Sequence, residues 1–217
     1  MDGFGIQTGM KIVLYGASGT IGSRILRELL ARGHAVTAVV RDPSKISEPQ
    51  AVVRAGNVLD PASVAATVAG ADAAISAFAP PADDTAKLVD AARSLVAGLQ
   101  KAGISRFLMV GGAGSLRVAT GGQLVDTPDF PPGWKGIALA HRDALEVLRE
   151  SDLDWTSFSP AALIEPGERT GKFRLGKDDL VTDEKGESRI SAEDYAVAMA
   201  DKLESPRHVR QRFTIGY

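Results

Sequence analysis

The sequence predicts a doubly wound α/β fold, in which helices cover both faces of a single parallel sheet. Short apolar runs of strand length, bounded by Gly, Pro or Asp, alternate along the chain with longer helical patterns. Strands that are apolar throughout are typical of strands buried on both faces, and their alternation with helices predicts right-handed crossover connections. The predicted strands span residues 10–15, 35–40, 52–53, 73–79, 107–110 and 155–158, and the predicted helices span residues 21–32, 61–68, 85–101, 138–150 and 192–204.

Two of these helices have clear start signals. Asp60 precedes Pro61, which indicates an N-cap followed by proline at the first helical position. Ser191 is followed by Ala192, Glu193 and Asp194, which is a variant of the capping box.

The composition is that of one globular domain. The chain of 217 residues has a formal net charge of −2 and no dense run of Lys or Arg, so we expect no nucleic-acid partner. Its apolar stretches are far shorter than the roughly 20 residues that cross a bilayer, and we expect no secretory signal because its first residues show no basic start followed by an apolar run. The absence of Cys excludes disulfides, thiolate metal sites and cysteine nucleophiles. We expect a cytoplasmic protein, with a disordered leader at residues 1–9 and a single domain at residues 10–217.

Two long segments interrupt the alternation, at residues 113–136 and 160–190. Both are rich in Gly and Pro, and the second also carries many charges. They follow the fifth and sixth strands, at the carboxyl edge where open α/β sheets bind their ligands. We expect them to form the walls of a substrate site. The alternative is that they are simply long surface loops.

The first strand leads into a glycine-rich turn at the start of the first helix. A turn in this position binds phosphate because the free N–H groups of the helix and its dipole point at the anion. Gly16 permits the tight turn, Gly19 lets the backbone approach a pyrophosphate, and Gly22 lets the helix pack closely on the strand. The pattern predicts a Rossmann-type dinucleotide site made by Gly16, Ala17, Ser18, Gly19, Thr20, Ile21 and Gly22.

The end of the second strand predicts which dinucleotide is bound. Sites that prefer NAD tend to carry an acidic residue here for the ribose 2′-hydroxyl, whereas NADP sites tend to carry Arg for the 2′-phosphate. Arg41 stands at this position, Lys45 adds a second positive charge, and Asp42 is the competing feature. We therefore predict NADP as the cofactor. The remaining predicted contacts are Asn57 and Val58 at the adenine, and Ser76, Ala77 and Phe78 beside the nicotinamide ribose.

Further motifs accompany the glycine turn: Val-Arg-Asp-Pro-Ser-Lys at 40–45, Gly-Asn-Val-Leu-Asp at 56–60, Val-Ala-Gly-Ala-Asp at 68–72 and Leu-Arg-Glu-Ser at 148–151. Together they resemble those of atypical short-chain dehydrogenases with NmrA-like, NAD(P)H-binding domains. Within that group the chain is similar to the proteins described as NADH-flavin reductases, and more distantly to biliverdin-IXβ reductase. The segments at 166–171 and 186–196 are similar to the same subgroup.

The resemblance implies roles for some residues, and it also shows that some of the family's catalytic residues are missing from this sequence. Arg41 and Lys45 fall on the two basic positions that hold the 2′-phosphate in the biliverdin reductase relatives, and His141 falls on a histidine near their cofactor. The Tyr and Lys of the dehydrogenase pair would fall on Ile137 and His141, so neither catalytic residue is present. The usual active-site Ser falls on Gly112.

These departures leave His141 and Ser115 as the candidate catalytic residues. His141 either donates a hydrogen bond to the nicotinamide ribose or a substrate oxygen, or is a satisfied surface histidine. Ser115 either substitutes for the missing Ser or caps its own loop.

The missing Tyr also bears on the reaction. Reduction of a simple ketone needs a proton for the alkoxide, whereas a reduced flavin takes its proton from water. We therefore predict an NADPH-dependent reductase of a flavin, a quinone or a similar conjugated acceptor, with Phe78, Phe130 and Trp134 either stacking on that ring or packing in the core. The alternative is a redox-sensing protein that binds the nucleotide without turnover. The sequence has no His, Asp and Glu at ligand spacing, so we expect no metal. We expect a small-molecule partner, no nucleic-acid or membrane partner, and a monomer or small homo-oligomer.

Overall fold

The computed structural model describes residues 9–217, and in this range it has ten strands and five α-helices. The strands are β1 Lys11–Tyr15, β2 Ala35–Val40, β3 Val52–Ala55, β4 Ala73–Ser76, β5 Arg106–Val110, β6 Asp154–Ser159, β7 Leu163–Glu165, β8 Arg174–Gly176, β9 Arg189–Ser191 and β10 Gln211–Gly216. The helices are α1 Thr20–Ala31, α2 Pro61–Val68, α3 Lys87–Ala102, α4 Pro132–Arg149 and α5 Ala192–Glu204. The predicted leader, apart from Gly9, lies outside the described residues.

Eight of the strands form one sheet in the order β3-β2-β1-β4-β5-β6-β10-β8, and β7 and β9 form a separate parallel pair. Neighbours in the large sheet are parallel, except that β8 runs antiparallel to β10. The strand order reverses between β1 and β4, which is where an open α/β sheet forms its ligand crevice. The predicted doubly wound α/β fold is confirmed.

Each face of the sheet carries its own hydrophobic cluster. α1 and α5 cover one face, where Ile25 and Met199 are fully buried. α2, α3 and α4 cover the other face, where Val64, Leu95 and Leu148 are fully buried. The central strands β1, β4 and β5 are buried on both faces along most of their length, as their apolar sequences predict. No helix within residues 9–217 is both long enough and apolar enough to cross a membrane.

Both predicted helix starts are confirmed. Asp60 Oδ1 accepts a hydrogen bond of 2.9 Å from the Ala62 N–H, and Pro61 occupies the first helical position of α2. Ser191 Oγ accepts a hydrogen bond of 3.0 Å from the Asp194 N–H at the start of α5. The reciprocal half of the capping box is not formed, because the Ser191 N–H donates to the Tyr217 hydroxyl at 3.2 Å.

Several elements differ from the prediction. β3 lies at an edge of the sheet and is not buried on both faces, since Val52 is 55% exposed. β4 ends at Ser76 and not at residue 79. α4 begins at Pro132 and not at residue 138. Its first turns contain Gly133 and Gly136, which weaken the helical pattern in the sequence.

The strand β10 was not predicted at all. Polar residues interrupt its apolar pattern, but the fold covers them: Thr214 is fully buried, and the Arg212 side chain is 7% exposed. β10 lies beside β6 and extends the sheet toward the second long segment.

The two long segments contact each other. The Arg117 N–H donates a hydrogen bond of 2.8 Å to the Asp178 carbonyl, and the Arg117 guanidinium binds the Asp179 carboxylate at 2.8 and 3.0 Å. Leu116 and Val125 in the first segment are buried. This part of the segment therefore packs as core and is not an open loop.

Candidate functional site

The glycine turn between β1 and α1 has a geometry that demands glycine at two positions. Gly16 has a φ of +76°, in the left-handed region. A Cβ at Gly16 would lie 2.3 Å from the Ala77 carbonyl oxygen, and a Cβ at Gly22 would lie 2.0 Å from the Gly16 carbonyl oxygen. At Gly19 the corresponding contact would be 3.4 Å. Packing therefore requires Gly16 and Gly22, whereas Gly19 keeps the outer side of the turn open.

The start of α1 offers backbone N–H groups to a ligand. Gly19 occupies the N-cap, so no side chain caps the helix, and the first turn has no acidic residue. Ser18, Gly19 and Thr20 are exposed, while Ala17 is buried and Ile21 is partly buried. Free N–H groups and the positive end of the helix dipole favour an anion at this position. The turn therefore fits the pyrophosphate of a dinucleotide.

Beyond β2, two basic side chains are exposed, Arg41 and Lys45. The acidic competitor Asp42 is turned into its own loop, where its carboxylate accepts hydrogen bonds of 2.7 Å from the Ser44 hydroxyl and 3.1 Å from the Ser44 N–H. These hydrogen bonds hold the pKa of Asp42 below its ordinary value. The end of β2 therefore presents the positive charges of Arg41 and Lys45, while the Asp42 carboxylate is engaged within its own loop.

After β3, the predicted adenine contacts form a tight turn. Asn57 Oδ1 accepts a hydrogen bond of 3.0 Å from the Leu59 N–H, and the Asn57 N–H donates one of 2.9 Å to Ser63 Oγ. These bonds do not use the side-chain NH₂ of Asn57, and the residue is exposed. Val58 is partly buried against the core and supports the turn.

The carboxyl ends of β4, β5 and β6 carry uncharged residues, most of them small. They are Ser76, Ala77, Phe78, Gly111, Gly112, Ala113, Pro160 and Ala161. Ser76 is buried, and its Oγ accepts a hydrogen bond of 3.4 Å from the Phe78 N–H. The Phe78 side chain packs against the core. None of these side chains can donate a proton to an alkoxide at neutral pH.

His141 of α4 brings a titratable side chain to this edge. A Cβ at Gly112 would lie 2.7 Å from His141 Cβ and 3.1 Å from His141 Cδ2, so the imidazole packs on the Gly112 backbone. Its Nδ1 is buried and has no hydrogen-bond partner in the described part of the chain, although the residue as a whole is partly exposed. Burial lowers the pKa of His141 to about 4, so the ring is neutral at pH 7.

Ser115 is engaged elsewhere. Its Oγ accepts a hydrogen bond of 2.8 Å from Arg212 Nη1, and its carbonyl oxygen accepts one of 3.1 Å from the same nitrogen. Arg212 also binds the Asp178 carboxylate, at 2.6 Å from Nη2. These contacts give Ser115 a structural role, and we leave it out of the proposed site. Sequence reasoning missed the contact because β10, which carries Arg212, was not predicted.

The three candidate aromatic residues differ in exposure. Trp134 in the first turn of α4 is 68% exposed, Phe130 is partly buried, and Phe78 packs in the core. Trp134 is thus the one of the three with a free ring face. Within residues 9–217 no three His, Asp or Glu side chains come together as metal ligands would.

The segments at 166–171 and 186–196 meet at the buried carboxylate of Asp194, which the sequence analysis placed only in a capping box. Asp194 accepts hydrogen bonds of 2.8 Å from the Thr170 N–H, 2.6 Å from the Thr170 hydroxyl and 2.7 Å from the Gly171 N–H. It also accepts one of 2.8 Å from the Tyr217 hydroxyl. Through these hydrogen bonds, Asp194 holds the chain beyond β7 and the residue that follows β10 against the start of α5.

Comparison with known proteins agrees with this architecture. The model of a family described as NAD(P)H-binding matches residues 16–206. A curated relative, the 3-diazoavenalumate denitrifying reductase of a Streptomyces species, is 32% identical over 187 residues, which cover 77% of this chain and 60% of that protein.

Two solved structures are similar over nearly their whole length. A Burkholderia pseudomallei protein, provisionally described as exported, is 52% identical, with a TM-score of 0.89 and coverage of 96% of this chain and 100% of that one. A Streptococcus pneumoniae protein, provisionally described as an NADH-flavin reductase, is 36% identical, with a TM-score of 0.86 and coverage of 96% and 99%. This chain belongs to the NAD(P)H-binding family, and its fold and neighbours fit the atypical short-chain dehydrogenases of NmrA-like type.

Proposed function

We propose that the protein is an NADPH-dependent oxidoreductase that transfers hydride to a flavin, a quinone or a similar conjugated acceptor. The observation that carries this proposal is the set of strand ends beyond β4, β5 and β6, where the residues are uncharged and mostly small. They offer no acid for an alkoxide, and their small side chains suit the close approach of a flat ring. A reduced flavin or hydroquinone takes its protons from water, so such an acceptor needs no acid from the protein.

The residues divide the work of holding the cofactor. The glycine turn binds the pyrophosphate, Arg41 and Lys45 bind the 2′-phosphate, and Asn57 and Val58 contact the adenine. Residues 76–78 pass beside the nicotinamide ribose. When bound, the reduced nicotinamide supplies the hydride.

His141 positions the cofactor in this proposal and does not transfer a proton. A neutral imidazole donates from one ring nitrogen and accepts on the other, which suits a contact to a ribose hydroxyl or a carboxamide. With a pKa of about 4, the ring carries no proton to give as imidazolium at neutral pH.

The relatives support the reductase class and leave the cofactor and location to experiment. The Streptomyces relative is named a reductase, and the Streptococcus neighbour is described as a flavin reductase. That description specifies NADH, so our choice of NADPH depends on Arg41 and Lys45. We also propose a cytoplasmic location, which the absence of Cys favours and the description of the Burkholderia neighbour as exported opposes. Cell fractionation tests it.

A steady-state screen of NADPH oxidation against flavins, quinones and simple aliphatic ketones tests the function. We expect turnover with at least one flavin or quinone and little with the ketones. Robust reduction of an aliphatic ketone would contradict the proposed mechanism. Failure to oxidise NADPH with every acceptor would favour a nucleotide-sensing protein instead.

A further inference from the structure

Four rings form a continuous stack behind the strand ends that we assign to the nicotinamide. Tyr195 and Phe158 are 4.1 Å apart between ring centroids and 9° from parallel. Phe158 and Phe213 are 4.0 Å apart at 10°, and Phe213 and His208 are 4.6 Å apart at 15°. The first three residues are fully buried. The stack therefore joins α5, β6 and β10 into one rigid unit.

The hydroxyl of Tyr195 extends beyond this stack and contacts a single backbone carbonyl. It donates a hydrogen bond of 2.6 Å to the Phe158 carbonyl oxygen, which also accepts one of 2.7 Å from the Gly111 N–H. A Cβ at Gly111 would lie 3.0 Å from Ser157 Oγ and 3.2 Å from the same carbonyl oxygen. The close approach of β5 to β6 at this point therefore favours glycine. Burial raises the pKa of Tyr195 well above its ordinary value, so the hydroxyl keeps its proton and remains a donor.

The Phe158 carbonyl is linked to the candidate site through Gly111 and Gly112. Gly111 is followed by Gly112, and Gly112 packs directly on His141. Two consecutive glycines have no side chains that would fix their backbone, so their position depends on the hydrogen bonds at their ends. The Tyr195 hydroxyl thus supports the backbone on which His141 rests.

We propose that Tyr195 is a positioning residue for hydride transfer, acting through the Phe158 carbonyl on Gly111, Gly112 and His141. The inference rests on the proposed function. Transfer between two bound rings depends on sub-ångström placement, so a looser strand end lowers the rate of the chemical step more than it weakens nucleotide binding. The glycine turn and Arg41, which hold most of the nucleotide, are not part of this chain of contacts.

The test compares two variants that each lose one buried hydroxyl. Tyr195→Phe keeps the ring stack, and Tyr15→Phe is the matched control because the Tyr15 hydroxyl is also buried and forms a hydrogen bond of 2.6 Å with Thr67 Oγ1 on the other face. We expect both variants to lose stability to a similar extent. Only Tyr195→Phe should lower kcat, by about tenfold or more, with the Kd for NADPH within about twofold of the parent value.

Amide hydrogen exchange gives a measurement that does not require turnover. In Tyr195→Phe the Gly111 N–H should exchange faster by about tenfold. The internal reference is the Ala77 N–H just after β4, which donates a hydrogen bond of 2.9 Å to the Tyr15 carbonyl oxygen. Its exchange rate should be unchanged. Gly111→Ala disturbs the same contact from the other side, and we expect it to lower kcat as Tyr195→Phe does.

Two results would overturn the inference: a parent-like kcat with parent-like Gly111 exchange in Tyr195→Phe, or equal losses of kcat in both Tyr variants, which would mean general loosening. If the parent protein oxidises NADPH with no acceptor, the proposed function fails. The exchange of Gly111 then still tests whether the Tyr195 hydroxyl supports the Gly111 backbone, and parent-like exchange in Tyr195→Phe would overturn that link.

Discussion

At the residue scale, Arg41 and Asp42 are neighbours of opposite charge just after β2, and their side chains have different surroundings. Asp42 is held by Ser44, whereas Arg41 is exposed and available to a phosphate. We predict that Arg41→Ala weakens NADPH binding by about 1–3 kcal/mol and leaves NADH binding unchanged, because a charge-assisted contact to the 2′-phosphate is lost. Calorimetry measures both affinities. Arg93→Ala, whose side chain on α3 is 66% exposed, controls for the loss of one positive charge. Equal affinity of the parent protein for the two cofactors would contradict the prediction.

His141 gives a pH dependence whose sign can be worked out. Burial lowers its pKa from 6.5 to about 4, so between these values the unfolded chain binds a proton that the folded protein does not. Its contribution to stability is complete above pH 6.5 and is lost as the pH falls toward 4. Because the residue is partly exposed, we take about 3 kcal/mol as the upper limit of this loss.

We predict that urea denaturation shows a steeper loss of stability from pH 6.5 to 4 in the parent than in His141→Asn. The same variant should raise the KM for NADPH. The pH profile of kcat should have the same shape near neutrality in the parent and in the variant. A step near neutrality in the parent that the variant removes would instead assign proton transfer to His141.

At the scale of elements, the strand–turn–helix unit separates the glycines that serve packing from the one that serves the ligand. Gly19 has φ −79° and ψ 171°, which alanine adopts freely, whereas a Cβ at Gly22 would collide with the Gly16 carbonyl. We predict that Gly19→Ala keeps the stability within about 1 kcal/mol but weakens NADPH binding at least about tenfold. Gly22→Ala should lower the free energy of unfolding by about 3 kcal/mol or more. Thermal denaturation and calorimetry measure the two effects, and normal folding and binding of Gly22→Ala would refute the assignment.

The same elements show what a sequence can predict. The helices and the inner strands follow from local signals, namely apolar runs, glycine turns and caps such as Asp60. β10 does not, because Thr214 donates to the Pro160 carbonyl and Arg212 binds Asp178, and these partners are remote in the sequence. The site divides in the same way. The glycine turn is local, whereas the packing of His141 on Gly112 depends on where α4 lies.

At the scale of the whole molecule, ion pairs that each have one largely buried partner hold the long segments against both faces of the sheet. On the face of α1 and α5, Arg169 binds the largely buried Glu28 with two hydrogen bonds of 2.8 and 2.9 Å. Arg32 joins the same carboxylate to Asp201 and Glu204 of α5, each at 2.8 Å. The chain beyond β7 is thereby held against both helices.

On the other side of the sheet Arg212 has the same function, and a comparison with Arg117 tests it. Arg212 joins Ser115 and Asp178, one from each long segment, through a side chain that is 7% exposed, whereas the Arg117–Asp179 pair between the same segments is 60% and 71% exposed. We predict that Arg212→Leu lowers the free energy of unfolding by about 2–3 kcal/mol, because it leaves the Ser115 hydroxyl buried without a partner and Asp178 without its counter-ion. Arg117→Leu should leave the urea midpoint unchanged, because water screens that pair and replaces its hydrogen bonds. If the two variants lost stability equally, burial would not be the reason that Arg212 holds the segments together.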